Sequence, residues 1–450
     1  MLDKFKDLSR SAAGKAKLGA SRATAKAKEA KDNHTAKGNE QYIVALDIGT
    51  EFVKALVGKV DTDESIEIIG VGRSHQKLTD MQAGAVSDIQ SVVENCDRAL
   101  SEAEAQAGVS VRTAVIGIAG ELVKGTTTTI RVSRKTVAKP LDLVEMERII
   151  KLVQGRAEDK AKKQLAIELG GKDVEVRLVN SALVSIEIDG YPVTNPIGFQ
   201  GKDVVVQLYT AFAPLIHIGA LERVAQELDL DLLAVAAEPF AVARSVIGDN
   251  TNANLSAILM DVGGGTTDIA VINDGGVQGT KMFGIGGRAY TRSIERDLGV
   301  EFDAAEDLKV SLDNNQNNQP TKPKRAQIES ALKKTLDVWT GGVELALGEF
   351  IKLDSLPHRI YLCGGGSSLD MLLVKLQETD WYRGLPFTRK PVVQYIRPNQ
   401  VVGITDSSGK VSDHTYITAM GLLRVGLDTL QYAGNGTRTI REKIDKMLQT

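Results

Sequence analysis

From residue 42 the chain turns from mixed polar positions to unbroken apolar ones: residues 42–46 form a continuous apolar run, as a strand buried on both faces requires. That run ends in Asp47-Ile48-Gly49-Thr50, and a second, residues 52–60, follows with only Lys54 and Gly58 interrupting it, so the two read as a hairpin. A third strand is expected over 65–71. Apolar positions at Ile89, Val92, Val93, Cys96, Ala99 and Leu100 recur at helical spacing and predict a helix over 86–106. Strands are expected at 113–118 and 126–132, a helix at 141–154, a charged stretch at 156–163, and two alternating strands at 174–178 and 183–188.

The second half repeats the theme. A strand at 204–211 and a helix at 216–228 precede a mixed apolar segment, 232–246, that contains Glu238-Pro239. Residues 255–260 then lead into Asp261-Val262-Gly263-Gly264-Gly265-Thr266-Thr267-Asp268, followed by the strand 269–272. Strand, Asp, apolar residue, Gly, hydroxyl residue, strand thus occurs at Asp47 and again at Asp261, a weak internal repeat that suggests two related halves facing each other. Residues 313–324, mostly Asn, Gln, Pro and Lys, read as a mobile loop. A helix over 326–351 leads to a strand at 359–362 and a third glycine turn, Gly364-Gly365-Gly366-Ser367-Ser368.

Composition narrows the class. With 450 residues, 42% hydrophobic and 25% charged, the chain is of ordinary globular type and long enough for several lobes, each with its own core. Two cysteines, Cys96 and Cys363, build no disulfide framework, which points to a reducing compartment. No apolar run approaches the roughly 18 residues of a spanning helix. Residues 1–40 hold ten basic and five acidic side chains, a net +5, which leaves −8 on the rest of a chain whose total is −3. Basic charge confined to one end argues against nucleic acid as the partner of the folded body. Met1, Leu2, Phe5 and Leu8 share one face of that end, as do Ile440, Ile444, Met447 and Leu448 at the other, where Arg438, Arg441, Lys443 and Lys446 flank them. Each segment reads either as a solvated tail or as a surface-lying anchor, and two marginal anchors together hold where one does not.

Glycine turns between strands aim backbone N–H groups in one direction and make anion sites. Gly49, Gly263, Gly264 and Gly265 supply that freedom, and Thr50, Thr266 and Thr267 add hydroxyl donors. An aspartate beside a phosphate needs a cation between them, and Mg2+ suits because it takes one or two carboxylates plus phosphate oxygens and waters. Asp47 and Asp261 are the candidate metal ligands, Lys54 a candidate neutraliser of the outer phosphates. The third turn, Gly364, Gly365, Gly366 and Ser367, is small enough for a flat base to lie on its backbone.

In this order the motifs resemble those of the ATP-binding superfamily that contains actin, the heat-shock chaperones and the sugar kinases. Asp47 to Thr50 and Asp261 to Asp268 are similar to its two phosphate motifs, and residues 362–368 to its adenosine motif. Residues 238–243 and 418–422 resemble its two connecting helices. Within it, residues 84–99, 116–120, 189–201 and 279–287 resemble the FtsA-like bacterial cell-division proteins. The resemblance implies a two-domain, actin-like (ribonuclease-H-like) α/β fold with an inserted 1C-type lobe and no 1B lobe. The expected division is a basic tail 1–40, a first domain 41–85 and 201–250, a 1C-like lobe 86–200, a second domain 251–430, and a tail 431–450 with a basic amphipathic helix. It implies ATP and Mg2+ as ligands, with Gly286, Gly287, Glu306 and Lys309 at the nucleoside and Glu238 placed to orient an attacking water, so at most a slow ATPase.

It further implies self-assembly into filaments and binding to an FtsZ-like tubulin homologue. Other divisome proteins would bind the 1C-like lobe, and the tails would rest on the inner membrane surface at the division site, on its cytoplasmic face. The alternatives are a PilM-like type IV pilus scaffold, with the same fold, and a small-molecule kinase, against which the Gly263-Gly264-Gly265-Thr266-Thr267-Asp268 run argues. The region 156–172 departs from the family as a charged insertion.

Overall fold

A computed structural model describes residues 40–61, 65–171, 173–247, 255–312, 322–350 and 353–433. Two large sheets organise it. The first has six strands in the order Asp231–Ala237, Thr113–Ile118, Gln41–Ile48, Phe52–Val60, Ile66–His75 and Ile404–Asp406. The second has nine, in the order Val392–Tyr395, Arg359–Cys363, Ala257–Val262, Thr267–Asn273, Gly276–Phe283, Lys124–Ser133, Asp203–Pro214, Val176–Ile188 and Tyr191–Pro192. In each sheet an antiparallel hairpin carries one of the two motif aspartates at its turn: Asp47 pairs with Lys54 in the first, and Asp261 with Asp268 in the second.

The apolar runs form central strands because both their faces are covered. Ile43, Val44, Ala45 and Leu46 are fully buried. In Ala257–Val262 alternate residues serve different cores: Ala257 and Leu259 join the one built on the first sheet, while Ile258, Met260 and Val262 join one with Trp339 and Leu332 of the helix Lys322–Gly348. The helices Glu238–Ile247 and Ile417–Ala433 pack on each other beneath the cleft between the two halves. Their crossing is close at Gly421, where a Cβ would lie 2.3 Å from the carbonyl oxygen of Ala241. Asp428 joins them further along, accepting from Arg244 at 2.6 Å and Arg424 at 2.9 Å.

Several expectations change. Helix Ile89–Ala107 packs on the first sheet and strand Thr113–Ile118 lies within it, although both fall in the stretch expected as a separate lobe. Strand Asp203–Pro214, expected in the first domain, lies in the nine-stranded sheet between Lys124–Ser133 and Val176–Ile188. Strand Ile404–Asp406 and helix Ile417–Ala433 return to the first sheet, although both were expected with the second half. The charged stretch 156–163 is not outside a helix: Leu143–Glu168 is continuous through it. Ala157, Ala161 and Leu165 recur every fourth residue as a narrow buried stripe while the charges point outward, Lys162 meeting Glu158 at 2.9 Å. The two strands expected at 174–178 and 183–188 are one, Val176–Ile188, and bulges against its partner strand explain the broken alternation.

The lobe has its own small cores, one around Ile149, Ile150, Val204 and Val206, another around Ala157, Leu165 and Phe212. Its sheet meets the second half's at Gly279 and Thr126. The expected tails, apart from residue 40 and from 431–433, which end the helix Ile417–Ala433, lie outside the described residues, as does most of the expected 313–324 loop; the helix after that loop begins at Lys322. Among the described residues no helix is long and apolar enough to cross a membrane.

Candidate functional site

The two hairpin turns close alike and face each other. Gly49 N–H donates to Phe52 O at 3.1 Å, and Gly263 N–H donates to Thr266 O at 2.9 Å. A Cβ on Gly265 would stand 2.7 Å from Thr50 Oγ1, and one on Gly264 would stand 2.8 Å from Glu51 Cβ, so the turns are in contact and larger residues there would separate them. The third turn closes on the second. Gly364 takes a left-handed φ of 84°, and a Cβ on it would overlap Asp261 Oδ1 at 1.9 Å, two reasons for glycine there. A Cβ on the next residue, Gly365, would meet open space.

Between the turns lies a buried acidic group with one cation. Asp47, Glu238, Asp261 and Asp268 are all buried. Cross-strand register sets Lys54 opposite Asp47, and Lys54 Nζ donates to Asp47 Oδ2 at 2.9 Å. Burial disfavours the Lys54 charge, but Asp47, helped by Asp261, holds its pKa above the ordinary lysine value. Burial pushes the carboxyl of Asp268 up to about 8, and Asp261 adds to the shift. Asp261 is raised by burial and by Asp47, against the pull of the hydroxyl hydrogen bond it accepts from Thr418. Glu238 is raised well above the usual carboxylate range by burial first, then by Asp47, Asp268 and Asp261.

Two oxygens in this group, Glu238 Oε1 and Asp268 Oδ1, are buried with no hydrogen-bond partner. The other oxygen of Asp268 accepts from Thr266 Oγ1 at 2.9 Å. A buried carboxylate oxygen left unpartnered is costly, and such a pair marks a place that favours a cation or an ordered donor. Among the described residues no three His, Cys, Asp or Glu side chains are grouped so as to hold a metal by themselves. The site therefore offers carboxylates but needs further oxygen ligands from elsewhere.

Residues expected at the nucleoside lie beside the second and third turns. Gly287 and Arg288 open the helix Gly287–Leu298, and their N–H groups donate to Gly263 O and Gly264 O at 2.9 and 2.8 Å. Gly286 lies behind the same turn, where a Cβ would be 2.6 Å from Gly263 O. Lys309 Nζ donates to Gly287 O at 3.1 Å, Thr291 Oγ1 at 2.9 Å and Glu306 Oε2 at 2.7 Å, which gathers Glu306 and Lys309 at that helix start. Ser367 Oγ donates to Gly364 O at 2.7 Å, and Tyr395 donates to Ser367 O at 2.9 Å. Thr267 is turned away, its hydroxyl bonded to Ile285 O and to Trp339 Nε1.

Sequence reasoning quoted Asp268 and Thr418 in their motifs without giving either a role, and it missed Glu51, Gln76 and Arg288. Gln76 Nε2 donates to Gly49 O at 3.1 Å, while its N–H donates to Glu51 O at 2.9 Å. Its Oε1 accepts from Asn95 at 2.6 Å, so the first turn is braced from behind by a buried amide pair.

Comparisons with known proteins bear on the family and the fold. The family described as "Cell division protein FtsA" matches residues 258–421, which span the second and third turns and reach the second connecting helix. The Pseudomonas aeruginosa cell division protein FtsA is 27% identical over 405 residues, covering 86% of this chain and 89% of that protein. The Bacillus subtilis FtsA is 27% identical over 277 residues, covering 61% of this chain and 58% of its own length. Among solved structures, a PilM–PilN type IV pilus biogenesis complex aligns with a TM-score of 0.62 at 16% identity, covering 86% of this chain and 98% of the matched one. That likeness is one of fold. The architecture is the two-sheet, actin-like ATPase fold.

Proposed function

Since the chain is an FtsA-like protein of the actin superfamily, we propose that it binds ATP with Mg2+ between its two halves and acts in cell division. The observation that carries this reading is the pair of contacting glycine turns around buried carboxylates, two of whose oxygens lack a partner. Phosphate oxygens would face the turns around Gly49, Thr50, Gly264, Gly265 and Thr266. Asp47 and Asp261 would supply the protein's share of a hydrated Mg2+ shell, a fit that two carboxylates plus phosphate oxygens and waters satisfies. Bound there, the ion neutralises charge on the phosphates.

Lys54, already tied to Asp47, balances the remaining charge on the first side. Gly365 and Gly366 would take the base, with Glu306 and Lys309 at the ribose. Glu238, over the gap left by Gly117, would orient a water, its carboxyl raised by burial and by the neighbouring aspartates. ATP would fix the angle between the halves and hence the surface that polymerises. The same reading makes the lobe a 1C equivalent that receives other division proteins, makes an FtsZ-like tubulin homologue the principal partner, and rests the basic tails on the cytoplasmic face of the membrane at the division site.

Calorimetric titration of ATP with Mg2+ into the full chain tests the core of this reading. Wild type gives saturable heat. Asp261→Ala lowers affinity by about a hundredfold or more, because a proposed ligand is lost, while its circular dichroism is unchanged. Equal affinity in the variant would remove Asp261 from the site, and no heat with wild type would end the nucleotide assignment. Capture by an FtsZ C-terminal peptide separates division from a pilus scaffold.

A further inference from the structure

One residue is attached to both turns. Arg288 opens a helix of the second half, and its backbone N–H donates to Gly264 O at 2.8 Å within the second turn. Its guanidinium crosses to the first half, where Nε meets Glu51 Oε2 at 2.6 Å, next in sequence to Thr50. Nη2 of the same group donates to the carbonyl oxygens of Gln76 and Lys77 at 3.3 and 3.5 Å.

What it grips on that side is itself hydrogen-bonded to the first turn. Gln76 is fully buried and braces Gly49 and Glu51, and the second oxygen of Glu51 is bonded to His75 Nε2 at 2.7 Å. The Glu51 and Arg288 side chains are only 16% and 11% exposed, so water competes poorly for the pair and removing one partner leaves the other buried and uncompensated.

We infer that Arg288 is a positioning residue that clamps the first turn to the second, so that the phosphate cradle proposed above is assembled by one guanidinium, and that ligand release requires this grip to open. Arginine suits the task because its planar fork serves a carboxylate and backbone carbonyls at once, which a lysine ammonium does not. The pair lies outside the carboxylate group of the cleft, so it sets the separation of the turns without contributing a phosphate or metal contact.

The inference rests on the nucleotide reading for its consequence, not for the clamp itself. Full-length wild type, Glu51→Gln, Arg288→Lys and the double variant are compared in two measurements. In urea unfolding without nucleotide, the two substitutions are non-additive, the double variant being no less stable than the weaker single one. In stopped flow, a fluorescent N-methylanthraniloyl ATP bound with Mg2+ leaves each single variant about tenfold faster, and the double variant no faster than either.

Additive unfolding effects would overturn the clamp. Coupling with an unchanged release rate would overturn its role in positioning the cradle. If wild type fails to bind the analogue, the nucleotide reading falls and the unfolding cycle still decides the clamp. Arg288→Lys keeps the charge, so a folded variant with fast release separates a lost fork from a lost fold.

Discussion

The two turns share a hairpin and a closing hydrogen bond, yet their electrostatics differ. On the first, Asp47 is matched with its own cation, Lys54, at 2.9 Å. On the second, Asp261 and Asp268 have only hydroxyl donors, Thr418 and Thr266, and Asp268 and the adjoining Glu238 each keep an unpartnered oxygen. One side is neutralised within the protein and the other is left with an unmet demand for positive charge. A repeated backbone device has thus been given two different roles, a finished wall and a receptive one.

The contrast breaks most visibly at Asp268. Its folded pKa, pushed up to about 8, lies above the roughly 3.9 of a free aspartate. Between those values the unfolded chain releases a proton that the folded chain keeps, so stability falls as pH rises, by on the order of 5 kcal/mol across the window. Asp268→Asn removes that contribution. Urea unfolding at pH 5 and pH 8 without nucleotide should show wild type losing stability and the variant losing much less, the remainder coming from Glu238 and Asp261, which shift the same way. Equal losses would mean that Asp268 is ionised in the native cleft and the second side is not starved of charge.

On the finished side the sign reverses. Lys54→Met leaves Asp47 buried among three other carboxyls, and breaking a buried pair from one end costs about 3 kcal/mol. The loss should appear in thermal unfolding near neutral pH. A variant as stable as wild type at pH 7 would show that Lys54 is spare and that the two turns do not differ.

The turns were legible because their chemistry is local: Asp, Gly and Thr at fixed spacing between apolar runs admit few structures. The central strands were legible for a related reason, since burial on both faces removes polar residues from the run. What stayed hidden depended on distant partners. Glu51 and Arg288 are 237 positions apart, and each alone reads as a surface charge beside a turn. Asp268 was in view, but its missing partner is a property of packing. Helix Leu143–Glu168 was cut short because charges outnumber the stripe of Ala157, Ala161 and Leu165 that keeps it on the lobe. Which sheet helix Ile89–Ala107 covers was hidden too, because its ordinary amphipathic pattern names no partner.

The same first hairpin supplies the smallest expected effect. At its far end Lys59 meets Glu40 at 2.8 Å, as short as the Lys54–Asp47 contact, but with 31% and 50% of the two side chains exposed against 13% and 5%. If distance alone determined the worth of an ion pair, the two would be equivalent. Water screens the outer pair and both side chains lose freedom to form it, so its net contribution is small. Lys59→Met should therefore leave the thermal midpoint within replicate scatter at both low and high salt, on the preparation in which Lys54→Met shifts it clearly. A comparable shift in both variants would show that the hairpin responds to charge along its whole length, and the difference between the two turns would then be one of degree.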